Sequence, residues 1–261
     1  MKSTLATYLR FEVRANLRAT ISWTIGLSIY VGAVVSLYPS VRSALNIGAI
    51  PPGLREAFNI TDFTYLAGFL SSELFGVILP LVLPFYGIVV LSNVVAGNEE
   101  RGRLDVLLGN PIPRWQLVAG TWIVVAVYLL AMVMVFGSVI WAVASALDLA
   151  LSANEAYRAT FALWPPALAF STLALVVSTL ARQRAIAIGV PGAVVLLSYL
   201  ILVIGRLADP LSFVRYISAY HYYGFAILEG VWWGGVAVLL AATAALLALA
   251  IITFNRRDIY A

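Results

Sequence analysis

The stretch Leu117–Leu147, LVAGTWIVVAVYLLAMVMVFGSVIWAVASAL, contains no acidic or basic side chain. A helix needs about 20 apolar residues to cross the hydrocarbon core of a bilayer, and this run exceeds that length. Hydrophobic residues make up 62% of the chain and charged residues 11%, whereas about a quarter of the residues in a soluble domain are charged. These values argue against a soluble enzyme or a disordered chain, and they indicate a protein embedded in lipid.

The sequence contains six apolar runs that we predict to be membrane-spanning helices. They are Ile21–Tyr38, Leu74–Val95, Leu117–Leu147, Thr160–Leu180, Ala185–Ile204 and Val231–Phe254. Helices are expected because an open sheet leaves backbone groups unpaired in hydrocarbon, and a β-barrel needs alternating rather than continuous apolar residues. No cleavage site follows the first run, so we expect it to remain as an anchor. The sequence thus predicts one all-α membrane domain over residues 1–261.

The distribution of basic residues predicts the orientation of these helices. If both ends of the chain lie on one side, that side receives Lys2, Arg10, Arg14, Arg18, Arg101, Arg103, Arg114, Arg182, Arg184, Arg256 and Arg257, and the other receives Arg42, Arg55, Arg158, Arg206 and Arg215. Cytoplasmic loops carry the excess of lysine and arginine, so both termini are predicted to be cytoplasmic. The net charge of +4 then reflects topology, and we expect no nucleic-acid partner.

Three residue counts limit the chemistry that the chain can perform. It has no cysteine and one histidine, His221, so we expect no metal site. Its only lysine is Lys2, and the phosphate-binding loop of a nucleotide hydrolase requires a lysine within a glycine-rich motif. We therefore predict no catalytic site and no cofactor in this chain, so any use of ATP requires a partner.

Residues 1–19 carry an apolar stripe and a neighbouring basic stripe, each with a spacing of four residues. The apolar stripe is Leu5, Leu9, Val13 and Leu17, and the basic stripe is Arg10, Arg14 and Arg18. On a helix, these stripes predict an amphipathic segment that lies in the membrane surface. The arginines alone are also typical of a positive flank that anchors the first run, and the sequence leaves this alternative open.

The loop between the second and third runs is predicted to form a short helix over residues 98–110. Its charged start, leucine edge and terminating residues are Glu99, Glu100, Leu104, Leu107, Leu108, Gly109 and Pro111. Acidic residues suit a helix N-terminus, leucines at this spacing share one edge, and glycine followed by proline ends a helix. The apolar edge could rest on lipid headgroups or fit a cleft of a partner protein, and spacing alone favours neither.

The stretch NEERGRLDVLL at 98–108, with PIPR at 111–114, resembles the cytoplasmic loop of type-2 ABC transporter permeases. Members typically show E-E-x-G-T-L-x-x-L-L followed by P-[VI]-S-R. Here Arg103 stands where threonine is common and Pro113 where serine is common, and neither change removes the charges or the leucine edge. The ending FNRRDI at 254–259 is similar to the short basic ending of many members.

This resemblance implies a permease subunit of an ATP-driven exporter in a prokaryotic plasma membrane. The subunit would work as a homodimer, or as a heterodimer, with two separate ATPase subunits that hold ATP and Mg. The loop helix would be the coupling helix seated in the ATPase, formed by Glu99, Glu100, Arg101, Gly102, Leu104, Leu107, Leu108 and Arg114. In related transporters the second and fifth spans line the pathway, which suggests Phe85, Tyr86, Leu196 and Tyr199 as lining residues.

No predicted span centre contains a lysine, an arginine or a carboxylate. Ion- and proton-coupled transporters normally need such groups, so their absence favours export of a lipophilic or amphipathic compound, such as a drug, an antibiotic or a lipid-like molecule. Two alternatives remain: a secondary transporter that works without an ATPase, and an ABC-linked membrane scaffold or maturation factor.

The external segment 206–230 is rich in aromatic residues and contains His221. These residues are typical of an aromatic belt at the membrane interface. The family resemblance instead implies short re-entrant helices that form an external lid.

Overall fold

The computed structural model describes residues 2–44, 65–104, 109, 113–207 and 209–257. Within these residues, every regular element is helical. Six helical stretches are long and apolar enough to cross a membrane, and we number them as spans one to six: Thr7–Ser43, Leu66–Glu100, Arg114–Ala146, Ala153–Leu180, Arg184–Leu207 and Trp233–Arg256. Each overlaps a predicted run, and several extend well beyond it, so the all-α, six-span prediction is confirmed.

Span one belongs to one uninterrupted helix, Lys2–Ala44. The predicted surface helix over residues 1–19 is therefore not a separate element, and this boundary was wrong. The physical reason is that no glycine or proline occurs before Gly26, so nothing breaks the helix between the amphipathic stretch and the apolar run. Arg10, Arg14 and Arg18 are exposed along this helix. The prediction that they lie in the membrane surface stays a prediction.

Span two is built from five consecutive helical segments. These are the α-helices Leu66–Glu73, Leu79–Leu91 and Asn98–Glu100, and the π-helices Leu74–Ile78 and Asn93–Gly97 between them. Pro80 and Pro84 lack the backbone N–H that would complete the ladder, so the first π-helix lies where regular bonding is already weakened. Gly87 allows span four to approach closely, because a Cβ atom there would collide with the Ser171 hydroxyl.

Span four consists of two helices, Ala153–Ala162 and Trp164–Leu180, joined at Leu163. Ser152 and Glu155 form a capping box at its start, and Pro165 and Pro166 occupy the first turn of the second helix, where a missing N–H costs little. Span four is the most enclosed of the six spans. Spans three, five and six are the single helices Arg114–Ala146, Arg184–Leu207 and Trp233–Arg256.

Hydroxyl groups at the contacts between spans help to fix how the spans pack. Spans two and six pack mainly on span four, and span one packs along span three. The Tyr86 hydroxyl of span two lies 2.7 Å from the Thr20 hydroxyl of span one. The Tyr128 hydroxyl of span three donates to the Val13 carbonyl at 2.8 Å. Such bonds between apolar helices fix register, because an unpaired hydroxyl inside the bundle would be unfavourable.

The described contacts show which connecting segments lie at each end of the bundle. Glu99, Arg114 and Arg257 meet at one end, and Arg158 donates to the Ile227 carbonyl at the other. The positive-inside rule predicts that the first end faces the cytoplasm. We call these the cytoplasmic end and the external end.

The external segment forms short helices. They are the 3₁₀ helices Asp209–Ile217 and Ala219–His221 and the α-helix Ala226–Glu229. The family resemblance implied short re-entrant helices in residues 206–230. Short helices are present there, Arg206 itself still belongs to span five, and the re-entrant placement stays a prediction.

Candidate functional site

Span two ends at the cytoplasmic end in a glycine turn. The Gly102 N–H donates to the Glu99 carbonyl at 2.9 Å, and the Arg103 N–H donates to the Asn98 carbonyl at 2.8 Å. Gly102 has a φ of 63°, in the left-handed region that glycine adopts without strain. This pair of bonds is the Schellman motif that closes a helix.

The predicted helix over 98–110 is therefore wrong at its start. Asn98, Glu99 and Glu100 form the last turn of span two, and the turn at Gly102 ends the helix there. The acidic residues were expected to start a helix, but the π-helix Asn93–Gly97 carries span two past its predicted end. Of the predicted leucine edge, Leu104 is buried, whereas Leu107 and Leu108 lie outside the described residues.

Glu99 forms an ion pair with Arg257, the residue directly after span six. The Arg257 Nη2 atom lies 2.7 Å from the Glu99 carboxylate, and the side chains of Arg257 and Glu99 are only 15% and 29% exposed, respectively. The Arg257 Nη1 atom also donates to the Thr179 carbonyl at 3.0 Å and lies 3.5 Å from the Ala181 carbonyl, both at the end of span four. One guanidinium thus joins spans two and four to the chain after span six.

Arg114, the first residue of span three, completes this arrangement. Its Nη1 atom donates to the Arg257 carbonyl at 2.8 Å, and its guanidinium lies 5.9 Å from the centre of the Phe254 ring. We call Glu99, Arg114, Thr179 and Arg257 the Arg257 network. Because both guanidiniums are only partly exposed, these charged bonds are screened less by salt than surface ion pairs are.

Glu100 contacts span five instead. Its Oε2 atom accepts a hydrogen bond from the Arg184 backbone N–H at 2.9 Å, in the first turn of that span. A carboxylate is favourable there, because the first N–H groups of a helix have no internal partners and carry partial positive charge. The two neighbouring acids therefore hold different spans: Glu99 holds the chain after span six, and Glu100 holds the start of span five.

The second π-helix lies directly before these acids and is stabilised by Ser178 of span four. The Ser178 hydroxyl accepts from the Val95 and Ala96 N–H groups at 3.3 and 3.0 Å and donates to the Ser92 carbonyl at 3.0 Å. The Ser92 carbonyl also accepts from the Gly97 N–H at 3.1 Å, so the Ser178 hydroxyl adds bonds to backbone groups of the wide turn itself. No signal in the sequence marks Ser178, because an isolated serine in an apolar run is also compatible with simple packing.

Arg101 also lies in this region. Its Nη2 atom donates to the Asn93 side-chain oxygen at 3.1 Å, across the π-helix. The structure thus brings together Glu99, Glu100, Arg101 and Arg114 among the predicted coupling residues, and three of them bond other parts of this chain's cytoplasmic end. No group of acidic or histidine side chains that could hold a metal occurs in the described part of the chain.

The four predicted pathway residues lie on different surfaces of this chain. Tyr86 faces span one, and Leu196 is half exposed on the outside of the bundle. Phe85 packs beside Gly192, and Phe85 and Tyr199 pack against the same small core cluster. That these residues line a transport pathway stays a prediction.

At the external end, Tyr220 reaches into the bundle. It is buried, and its hydroxyl donates to the Pro80 carbonyl at 2.7 Å. Pro84 stands four residues after Pro80 and has no N–H, so this carbonyl has no helical donor and is free to accept from Tyr220. The Tyr220 ring also contacts the Phe170 and Tyr199 rings, with centroid distances of 5.3 and 6.0 Å. We call Pro80, Phe170, Tyr199 and Tyr220 the Tyr220 cluster.

A serine pair adjoins this cluster. The Ser218 hydroxyl donates to the Ser198 carbonyl at 2.6 Å, and the Ala219 N–H donates to the Ser198 hydroxyl at 3.0 Å. Ser198 precedes the end of span five at Leu207 by ~13 Å at 1.5 Å per residue. The external segment thus folds back along the inner part of spans two and five.

Comparison with known proteins identifies the family. The model described as ABC-2 family transporter protein matches residues 10–259. No curated protein sequence matches the chain significantly. ABC-2 membrane proteins are transporter subunits that generally carry no catalytic site and work with an ABC ATPase. The match covers nearly the whole chain and all six spans, so this multi-pass membrane protein belongs to the ABC-2 transporter family and is of the permease type.

Proposed function

We propose that this chain is the permease of an ATP-driven exporter and that its ATPase partner acts on the cytoplasmic end of span two. The observation that carries the proposal is the joining of this end to several other spans by Glu99, Glu100 and Arg257. A displacement of the turn at Gly102 would pull on the end of span four, the start of span five and the chain after span six.

Such bonds between spans suit a subunit whose movement is driven by a partner protein. Charge-assisted hydrogen bonds are stronger and more directional than neutral ones, so they transmit a displacement instead of yielding to it. Packed helices respond by shifting between discrete arrangements, which here would be inward-open and outward-open states.

The remaining parts of the proposal rest on family membership and composition. Two ATPase copies would hold ATP and Mg, and a second, identical permease would complete a homodimer in a prokaryotic plasma membrane. The cargo would be a lipophilic or amphipathic compound moved outward, consistent with multidrug efflux. The span interiors offer apolar and aromatic walls for such a molecule, and no ion pair lies at mid-span in the described residues.

The test is transport by the assembled complex. Affinity purification from native membranes should recover an ABC ATPase in stoichiometric amount. In proteoliposomes containing both chains, Glu100→Lys should reduce ATP-dependent transport of a fluorescent amphipathic dye by about tenfold while ATP hydrolysis continues, because a lysine would repel the N-terminus of span five. Glu229→Lys, on an exposed external residue, should transport like the wild type.

Three results would contradict the proposal. One is undiminished transport by Glu100→Lys at normal membrane expression. The second is uptake or efflux by the purified chain alone, without any ATPase, which would favour a secondary transporter. The third is recovery of the ATPase without ATP-dependent transport of any amphipathic dye, which would favour the scaffold alternative.

A further inference from the structure

A cavity of about 510 Å³ opens at the cytoplasmic end, between the start of span one, the end of span two and the start of span three. Its volume is in the range of sites that bind small molecules. Its floor is formed by Tyr8, Leu117 and Thr121, which are all buried. Phe11, 58% exposed, stands at its mouth. The cavity therefore combines a buried floor with an exposed aromatic side chain at the cytoplasmic end of the bundle.

The cavity contains charges of both signs that do not pair with each other. Glu12 lies on its span-one wall, and Arg101 and Arg103 line it from the turn after span two. Among the described side chains, Glu12 forms no ion pair, and its hydrogen-bond partners Tyr8, Thr121 and Asn16 are all neutral. A partly buried carboxylate without a counter-charge is costly even when neutral groups bond it, so the cavity favours a ligand that brings a cation.

The amide groups of the cavity select the kind of cation. The Nδ2 atoms of Asn16 and Asn98 already donate to the Glu12 and Val94 carbonyls of their own helices, at 3.0 and 3.1 Å. Both Asn16 N–H groups are used within its own helix, because the second donates to the Glu12 carboxylate, whereas Asn98 keeps one N–H free of a described partner. The Asn16 and Asn98 side-chain oxygens and the Glu12 carboxylate are available to a ligand, so acceptors predominate in this set. It matches a primary ammonium, which has three N–H donors, and not a quaternary ammonium, which has none.

The basic residues that line the cavity suit an anion. Arg103 is exposed, and its guanidinium suits a phosphate bound through two N–H groups. Phe11, Ala15, Val90 and Val94 add apolar surface to the same lining. A molecule that suits all three parts carries an ammonium, a phosphate and an aliphatic portion.

We propose that this cavity binds the headgroup of an inner-leaflet phospholipid of the phosphatidylethanolamine type, with the ammonium on Glu12 and the phosphate on Arg103. The acyl chains leave along Phe11 toward the membrane. This site does not depend on the ATPase or on transport, so it stands apart from the proposed function.

The experiment measures lipid binding to the purified, delipidated full chain by titration calorimetry. The probes are short-chain phosphatidylethanolamine, phosphatidylcholine and phosphatidylglycerol, and free O-phosphoethanolamine. Wild type should bind phosphatidylethanolamine ~10-fold more tightly than the other two lipids, the effect of one charge-assisted contact. It should also bind the lipid more tightly than free O-phosphoethanolamine, which lacks the acyl chains.

Variants separate the two charges. Glu12→Gln keeps the shape of the wall and should lower phosphatidylethanolamine binding to the level of phosphatidylglycerol. Arg103→Gln, on an exposed residue, should weaken both lipids alike. Glu73→Gln, an exposed acid near the external end of span two, is the matched control and should change neither. The unfolding temperature of each variant without lipid shows whether the bundle is intact.

Three outcomes would overturn the proposal. Equal binding of phosphatidylethanolamine and phosphatidylcholine would remove the role of the ammonium. A preserved preference in a folded Glu12→Gln variant would remove the role of the carboxylate. Free O-phosphoethanolamine binding as tightly as the lipid would show that the site takes a soluble headgroup. If Glu12→Gln does not fold, unchanged lipid affinity of Arg103→Gln would still contradict the proposed binding mode.

Discussion

The cytoplasmic and external halves of span two are fastened to the rest of the bundle by different chemistry. At the cytoplasmic end, Glu99 and Glu100 make charge-assisted bonds to Arg257 and to the Arg184 N–H. In the external half, the neutral hydroxyl of Tyr220, which reaches in from the external end, bonds the Pro80 carbonyl. Each fastening lies next to a π-helix of span two. Charged groups thus hold span two near its second π-helix, where water is close. Hydroxyl and aromatic groups hold it near its first π-helix.

This difference indicates a division of roles between the two ends. Charged bonds hold their partners firmly and tolerate partial hydration, so the cytoplasmic end is suited to transmit a force. A single neutral hydrogen bond contributes about 1 kcal/mol, so the external contact can open and close at small cost. We expect substitutions in the Arg257 network to have larger effects than those in the Tyr220 cluster.

The largest effect is expected for Arg257→Gln. The variant leaves Glu99 partly enclosed without its counter-charge and removes the guanidinium bond to the Thr179 carbonyl. Removing one partner of a fully buried pair costs about 3–5 kcal/mol, and partial exposure reduces this to about 2 kcal/mol here. The unfolding temperature in detergent should fall by ~5 °C. Arg256→Gln, on the exposed neighbour, should leave it unchanged.

Ser178→Ala tests the π-helix next to that network. The Val95 and Ala96 N–H groups would lose their acceptor inside the bundle, which we expect to cost about 2 kcal/mol. Amide hydrogen exchange should speed up at these residues before it does elsewhere in span two. Ser36→Ala removes an exposed serine that bonds only its own helix and is the control. Equal exchange rates in both variants would show that Ser178 does not stabilise the wide turn.

Tyr220→Phe tests the external fastening. The variant keeps the ring contacts with Phe170 and leaves the Pro80 carbonyl without a donor, so we expect a loss of about 1 kcal/mol. Thermal unfolding in detergent measures this loss, and Tyr216→Phe, at an exposed tyrosine, is the control. If Tyr220→Phe destabilised the chain more than Arg257→Gln, the contrast between the two ends would be reversed.

The smallest effect concerns pH at the external end. Burial lowers the pKa of the His221 imidazole, and Arg215 and Arg206 lower it further. Because the folded-state pKa is below the unfolded value near 6.5, the stabilisation by neutral His221 is complete above that pH and is lost as the pH falls through the folded-state pKa. Acidification from about pH 7.5 to about pH 5.5 should therefore lower the unfolding temperature more in the wild type than in His221→Gln. An identical decrease in both would contradict this assignment.

The six spans could be predicted from the sequence because burial in lipid requires long apolar runs, and such runs are visible without a structure. The positions at which the helices are interrupted or end could not be predicted. Gly102 ends span two only because the π-helix carries the helix up to it, and the extra residue of a π turn leaves no pattern in apolar periodicity. Because the π-helix could not be recognised in the sequence, Glu99 and Glu100 were expected to start a helix, whereas they end one.

The candidate site could be predicted in part. Glu99, Glu100 and Arg114 stood out as charges beside apolar runs, and the structure brings them together. The partners of these charges could not be predicted, because Thr179 and Ala181 contribute backbone carbonyls, which every residue has. Arg257 was noticed only as part of a basic ending. Contacts between residues 158 positions apart, such as Glu99 and Arg257, depend on how the helices pack and not on local spacing.

The unbroken helix Lys2–Ala44 has a mechanical consequence. Its 43 residues form a rod ~64 Å long, about twice the ~30 Å thickness of the hydrocarbon core. A helix without an interruption in its first half tilts as a rigid body, so a tilt of ~10° moves one end by ~11 Å relative to the other. Any rearrangement that leans its outer half therefore sweeps the wall carrying Glu12 across the inner membrane surface, and opens or narrows the space beside it.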